Sequence, residues 1–291
     1  MIMLALLILS LQDVIVKWLG GQYSVLQMVV LRSLVALPCT LLFFRAEGGR
    51  GLPKTQRHKL EYLRGLFLFL SFTTYMMGLA ALPLAEISAI RNSAPLMITL
   101  LSVFWLREQV SLGSWVALLL GFVGVLLIVR PGTLSFNLGS VFVLIATLFY
   151  ALVVMVTRKL QNTDSSATMA YYSSLVYLVV SFGLAPIVAF VGETPDAHPS
   201  IAFLFRAWTL PPLLDGVAMA GMGLLWAGGM YFMARAYSVA RASVIAPFEY
   251  VSLPISAMWG FLLWQEVPTW TTWTGAVLTL LSGMYIVYRA R

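Results

Sequence analysis

The sequence predicts an all-α integral membrane protein: ten transmembrane helices arranged as two inverted five-helix repeats around a central cavity. Three observations predict it. The composition is too apolar for a water-soluble globule, the apolar runs have membrane-spanning length with basic connectors on alternate sides, and the second half of the chain repeats the first.

Of 291 residues, 60% are hydrophobic and only 10% charged, whereas roughly a quarter of a soluble domain is charged. Gly (22), Met (14) and Trp (9) are plentiful, as expected of helices packed through small residues with aromatics at the membrane interfaces. A net charge of +7 would suit nucleic acid only if the cations shared an exposed face. Here they sit in short connectors, so the expected partner is the lipid bilayer and not nucleic acid. Cys39, the single cysteine, lies in an apolar run, which leaves neither a disulfide framework nor a thiolate cluster. His58 and His198 fall in hydrophilic connectors, so no imidazole for metal binding or proton relay is expected inside the bilayer. No metal, cofactor or obligate protein partner is predicted. The opening run, Met1 to Leu19, carries Asp13 and Lys17 and exceeds a signal-peptide core in length, so it reads as a retained first helix.

A helix rising 1.5 Å per residue needs about 20 apolar residues to cross a hydrocarbon layer about 30 Å thick. Ten segments qualify: Met1 to Leu19, Val25 to Phe44, Leu63 to Leu82, Leu84 to Leu106, Ser111 to Val129, Asn137 to Thr157, Thr168 to Val191, Leu213 to Tyr231, Ala240 to Trp264 and Trp270 to Tyr288. Short cytoplasmic loops retain Lys and Arg. With both termini cytoplasmic, that side receives Arg45, Arg50, Lys54, Arg57, Lys59, Arg64, Arg107, Arg158, Lys159, Arg235, Arg241, Arg289 and Arg291. The other side receives Lys17, Arg130 and Arg206, a split of thirteen against three that the loss of one helix would scramble.

Sliding the chain along itself exposes the repeat. At an offset of 141, Leu19 falls on Leu160, Met28 on Met169 and Ser33 on Ser174, while Lys17 meets Arg158. At 158, Glu108 falls on Glu266 and Trp115 on Trp273; at 155, Ala85, Ser88 and Ile90 match Ala240, Ser243 and Ile245. The halves are residues 1–132 and 133–291 of one integrated membrane domain. Each has an odd number of spans, so the second copy enters the membrane from the opposite side, an architecture that recurs in alternating-access transporters.

An ionisable group in the hydrocarbon centre costs roughly 2.5–3.5 kcal/mol on insertion scales, so Asp13, Arg32, Glu86, Arg91 and Glu249 invite a role or a partner. Asp13 and Arg32 lie at similar depth from the same side and read as a structural ion pair between helices 1 and 2, against an outer gate or a substrate-carboxylate role for Arg32. In helix 4, Ser88, Asn92, Pro95, Thr99 and Ser102 share one face, where Pro95 frees a backbone carbonyl; cavity lining and interhelical packing both fit. Helix 9 offers Pro247 and Pro254 around Glu249, and paired proline-interrupted helices point to a transporter's site. Glu249 is the leading candidate for a substrate amine or a coupling proton, against a carboxylate satisfied by local hydroxyls. Met219, Met222, Trp226, Met230 and Met233 form one face of helix 8, suited to an apolar or aromatic side chain and equally to plain packing. Tyr75, Tyr150 and Tyr250 are further cavity candidates. Glu108 and Glu266 immediately precede helices 5 and 10 and read as caps for them.

The stretch "ASVIAPFEYVSLPISAMWGFLLWQEVPTWTTWTGAVLTLLSGMYI" (242–286) resembles the signature of EamA-type proteins of the drug/metabolite transporter superfamily, and "PLAEISAIRNSAPLMITLLSVFWLREQVSLGSWVALLLGFVGVLLIVRPG" (83–132) resembles it too. "SLQDVIVKWL" and "VVLRSLVAL" are similar to the YddG-type branch of amino-acid exporters. The resemblance implies alternating access in a basket of helices, with helices 5 and 10 outside the cavity. Its expected activity is export of small metabolites, foremost aromatic and other neutral amino acids, across a bacterial inner membrane; the alternative is uptake or exchange of another metabolite such as S-adenosylmethionine. No Walker A lysine motif supports ATP-driven transport. A membrane-embedded enzyme would need a nucleophile–base pair or metal ligands inside the bilayer, and the spans hold no histidine.

Overall fold

The structure, a computed structural model, describes residues 2–106, 111–133, 135–160, 163–194, 196–239 and 250–289. Among the described residues every regular element is helical, because a chain crossing lipid must satisfy its backbone groups within each segment. In chain order the helices are α1 (Ile2–Leu19), α2 (Val25–Ala46), α3 (His58–Leu79), α4 (Leu84–Arg91), α5 (Ala94–Leu106), α6 (Leu112–Val129), α7 (Leu138–Leu160), α8 (Ser166–Val191), α9 (Pro199–Phe205), α10 (Leu213–Val239), α11 (Ser252–Trp264) and α12 (Trp270–Arg289). Serine hydroxyls start three of them: Ser24, Ser111 and Ser165 accept from Leu26, Ser114 and Thr168 backbone N–H groups.

Length and composition alone qualify α1, α2, α6, α7, α8 and the Leu213–Met230 part of α10 to cross a membrane. The other expected spans fall short for local reasons. α3 begins with a polar turn carrying Lys59 and Glu61, α12 carries Thr271, Thr272, Thr274 and Thr279, and α11 has 13 described residues. The fourth span is not one helix. α4 stops at Arg91, Asn92 and Ser93 form a turn, and α5 restarts at Ala94. Pro95 explains the break, since it has no N–H to offer the Arg91 carbonyl and its ring collides with that oxygen. The Ser93 hydroxyl donates to the Ile90 carbonyl at 2.6 Å, satisfying one group that the break releases.

The helices contact one another in exchangeable pairs. α3 lies along α7 as α1 lies along α10, and α10 meets α2 as α3 meets α8. Three contacts map onto themselves: α2 with α8, α4 with α11, and α6 with α12. Swapping first-half helices for their sequence mates leaves this contact set unchanged. The largest core gathers on the inner faces of α1–α4, α8 and α10, around Leu26, Phe69, Met76, Ile87, Tyr177 and Met219. α6 and α12 lie at the periphery, where Leu119, Val123 and Leu126 of one and Val277, Leu281 and Met284 of the other point away from protein.

Several expectations change. α3 starts at His58 and α10 runs to Val239, both longer than the apolar runs suggested, because polar ends extend a helix beyond the lipid layer. α9 occupies a segment read as connector; Pro199 sits in its first turn and His198 Nδ1 accepts from Ser200 N, the start signal that was legible there. Among the described residues Pro254 lies in the first turn of α11, whose approach falls in the undescribed residues 240–249. Pro247 and Glu249 lie outside the described residues, as does Glu108. Glu266 does not cap α12, whose start is held by Thr269 Oγ1 accepting from Thr272 N. Its carboxylate instead accepts from Leu84 N at 3.1 Å, capping α4 of the other half, and pairs with Lys17.

Candidate functional site

Three polar sets interrupt the apolar interior. In the first, Asp13 of α1, Tyr75 of α3 and Arg91 of α4 converge: the Tyr75 hydroxyl donates to Asp13 Oδ2 at 2.9 Å, and the Arg91 guanidinium lies 5.3 Å from the Tyr75 ring centre. Asp13 and Tyr75 are half-buried, whereas Arg91 is exposed although it sits beside the break in the fourth span. Tyr150 of α7 is half-buried within electrostatic reach of Arg91, so the second half contributes to the same surroundings.

In the second set, the broken fourth span meets α11. Ser88 Oγ donates to Ser252 Oγ at 3.4 Å, and Ser252 Oγ donates to Asn92 Oδ1 at 3.5 Å, long and weak bonds that leave Asn92 Nδ2 buried without a partner. The hydroxyl face expected on the fourth span is thus turned toward the other half. Tyr250, buried in the turn before α11, places its hydroxyl against Gly283 of α12.

The third set surrounds Arg32. The expected pairing with Asp13 is not formed: among the described residues the acid–base pairs within 4 Å are Lys17 with Glu266 and Arg130 with Glu86. Depth was matched but direction was not, for Asp13 faces α3 and α4 while Arg32 faces α3, α8 and α10. Its guanidinium lies over Phe72, Tyr177 and Trp226, at 3.8, 4.7 and 5.4 Å from the ring centres. Trp226 is thereby placed in a cationic cage, and Met219 and Met222 from its stripe are fully buried.

Polar ties close both ends of the bundle. At one end, Arg130 Nη2 donates to Glu86 Oε1 at 2.9 Å and to Thr269 Oγ1 at 3.1 Å, and Thr272 adds a bond to Glu86. Nearby, Tyr23 donates to Asp215 at 2.6 Å, Ser24 to the Leu204 carbonyl at 3.1 Å, and Arg206 to the Gly20 carbonyl. At the other end Arg64, counted from sequence as a connector cation, is buried. Its Nε donates to Thr157 Oγ1 at 2.8 Å and its Nη1 to Ser173 Oγ at 2.7 Å. Between these ends, the described residues enclose a cavity of about 10 Å³ walled by Met28, Arg32, Phe72, Met76, Phe203 and Met222. That is room for one water, whereas small-molecule pockets run from about 300 Å³ upward. The described residues include no group of acidic, His or Cys side chains able to hold a metal.

Residues 1–130 and 137–288 each match the sequence model of the EamA-like transporter family. A protein of Rickettsia felis named as an S-adenosylmethionine uptake transporter is 28% identical over 98% of this chain and 90% of its own length. A riboflavin transporter of Vibrio cholerae is 30% identical over 87% of this chain and 79% of its own. A solved crystal structure, 16% identical, superposes over 99% of this chain and 96% of its own with a TM-score of 0.64, so the fold is shared.

Proposed function

Because the chain belongs to the EamA-like transporter family, we propose that it carries S-adenosylmethionine, or a metabolite of the same build, across a bacterial inner membrane by alternating access. Both termini lie in the cytoplasm, and the two halves, 1–132 and 133–291, are inverted relative to each other. The observation that carries the reading is the Asp13–Tyr75–Arg91 set, opposite charges gathered on three helices of the first half within electrostatic reach of Tyr150 of the second. S-adenosylmethionine offers a carboxylate for Arg91, an ammonium and a sulfonium for Asp13, and a flat purine for Tyr75 or Tyr150 to stack against. Ser88, Asn92 and Ser252 supply hydroxyl and amide groups where the fourth span breaks, and Pro95 lets its two pieces move separately. The family and the names of its relatives are those of transporters, so no chemical step is assigned; the gradient sets net direction.

A second reading, export of aromatic or other neutral amino acids, is supported by Trp226, Tyr177 and the buried methionines of α10. Counterflow in proteoliposomes separates the two. Labelled S-adenosylmethionine should exchange unaltered and be displaced only weakly by phenylalanine or tryptophan; exchange of the amino acids alone would replace the first reading by the second. Asp13→Asn and Tyr75→Phe should each lower S-adenosylmethionine counterflow roughly 10-fold or more, as loss of a charge-assisted hydrogen bond implies. Unchanged flux in both would remove this set from the site.

A further inference from the structure

Arg32 is buried, and its Nε and Nη1 have no hydrogen-bond partner. The nearest hydroxyl, that of Tyr177, can only accept from the guanidinium, because its proton is donated to the Leu68 carbonyl at 2.8 Å. No carboxylate among the described residues pairs with it. A guanidinium stays protonated even in protein interiors, and an ion removed from water without a counter-charge is costly. Cation–π contacts recover only part of that cost. The two unused donors belong to a side chain that walls the cavity with Met28, Met76 and Met222, whose flexible thioethers yield to an incoming group more readily than branched side chains do.

We propose that Arg32 is a carboxylate-binding residue: Nε and Nη1 take the two oxygens of a ligand carboxylate side-on, and the Phe72, Tyr177 and Trp226 rings hold the apolar or aromatic body attached to it. Side-on Nε/Nη1 pairing presents two parallel N–H donors, the geometry that matches a carboxylate. The cavity is lined by Phe72 and Met76 of α3 and Phe203 of α9 but not by Asp13, Tyr75 or Arg91, so it is a second station beside that set. It rests on the transporter reading only for its place along a path; the binding itself does not.

Calorimetric titration of the full-length protein in nanodiscs tests it with matched probes, S-adenosylmethionine against its decarboxylated form and phenylalanine against phenylalaninamide. In the wild type at least one acid should bind roughly 10- to 100-fold more tightly than its partner. Arg32→Gln should erase that ratio while leaving the neutral partner's affinity in place, and Arg32→Lys should restore part of it. A purely structural arginine would weaken acid and partner alike. Should Arg32→Gln fail to fold, phenylglyoxal labelling of the wild type mapped by mass spectrometry replaces it: the acid, not the amide, should slow modification of Arg32. Equal affinities within both pairs, an unchanged ratio in Arg32→Gln, or labelling of Arg32 indifferent to the acid would overturn the site. Acid-selective binding without counterflow would leave this site standing and sink the transporter reading; counterflow with no preference for the acid would do the reverse.

Discussion

Glu266 occupies a position where one carboxylate does two jobs. It accepts from the Leu84 backbone N–H at the start of α4 and pairs with Lys17, whose ammonium also donates to the Leu82 carbonyl at 3.1 Å. Glu266→Ala should therefore uncap a helix of the other half and leave Lys17 half-buried with one carbonyl, costing about 1–3 kcal/mol. Thermal unfolding in detergent should register this as a Tm several degrees lower, and a Lys17→Met/Glu266→Leu double variant should lose less than the two single changes summed. An unchanged Tm in Glu266→Ala would mean that the tie carries no stability. Sequence alone read Glu266 as the cap of the helix that follows it, whereas it caps α4, because the partner N–H lies 182 residues away. The same limit governed Asp13 and Arg32. Counting along a span gives depth, while the direction a side chain faces depends on how each helix is rotated against its neighbours.

Among elements, the break between α4 and α5 was legible in Pro95, since a missing N–H acts through the chain's own preceding turn. Pro254 carried the same signal and lies in the first described turn of α11. The seam between α6 and α12 depends on absent side chains. A Cβ on Gly124 would meet the Gly275 carbonyl oxygen at 2.7 Å, and one on Gly275 would strike the Gly124 carbonyl and Ile128. Backbone approaches backbone here, as small residues permit between membrane helices. Gly275→Ala should force the seam apart and cost about 1–3 kcal/mol as overpacking, read as a lower Tm. Leu119→Ala on the outward face of α6 should leave Tm within about 1 °C, consistent with a cost inside 0.5 kcal/mol for an exposed site. Equal effects of the two changes would contradict the close approach.

For the whole molecule, matched residues suggest a repeat, and α1 with α10, α3 with α7, α2 with α8 and α6 with α12 are in contact. The degree of closure could not be read, because cavity volume depends on how the helices are set against one another. With polar ties at both ends, the proposed passage of a metabolite requires the ends to part in turn. Bridging Lys17→Cys and Glu266→Cys through two disulfides with a short bis-methanethiosulfonate, in a background with Cys39→Ser, should abolish counterflow, and reduction of those disulfides should restore it. Undiminished counterflow in the bridged protein would show that this end need not separate.

The ties around α9 have no equivalent in the first half, where residues 47–57 form no helix. If two halves were truly interchangeable, an empty carrier would dwell equally long facing either compartment. Under the proposed alternating access, a brace present in one half alone removes that degeneracy, so the unloaded protein would favour one posture and divide the work of a cycle unevenly between its two half-turns.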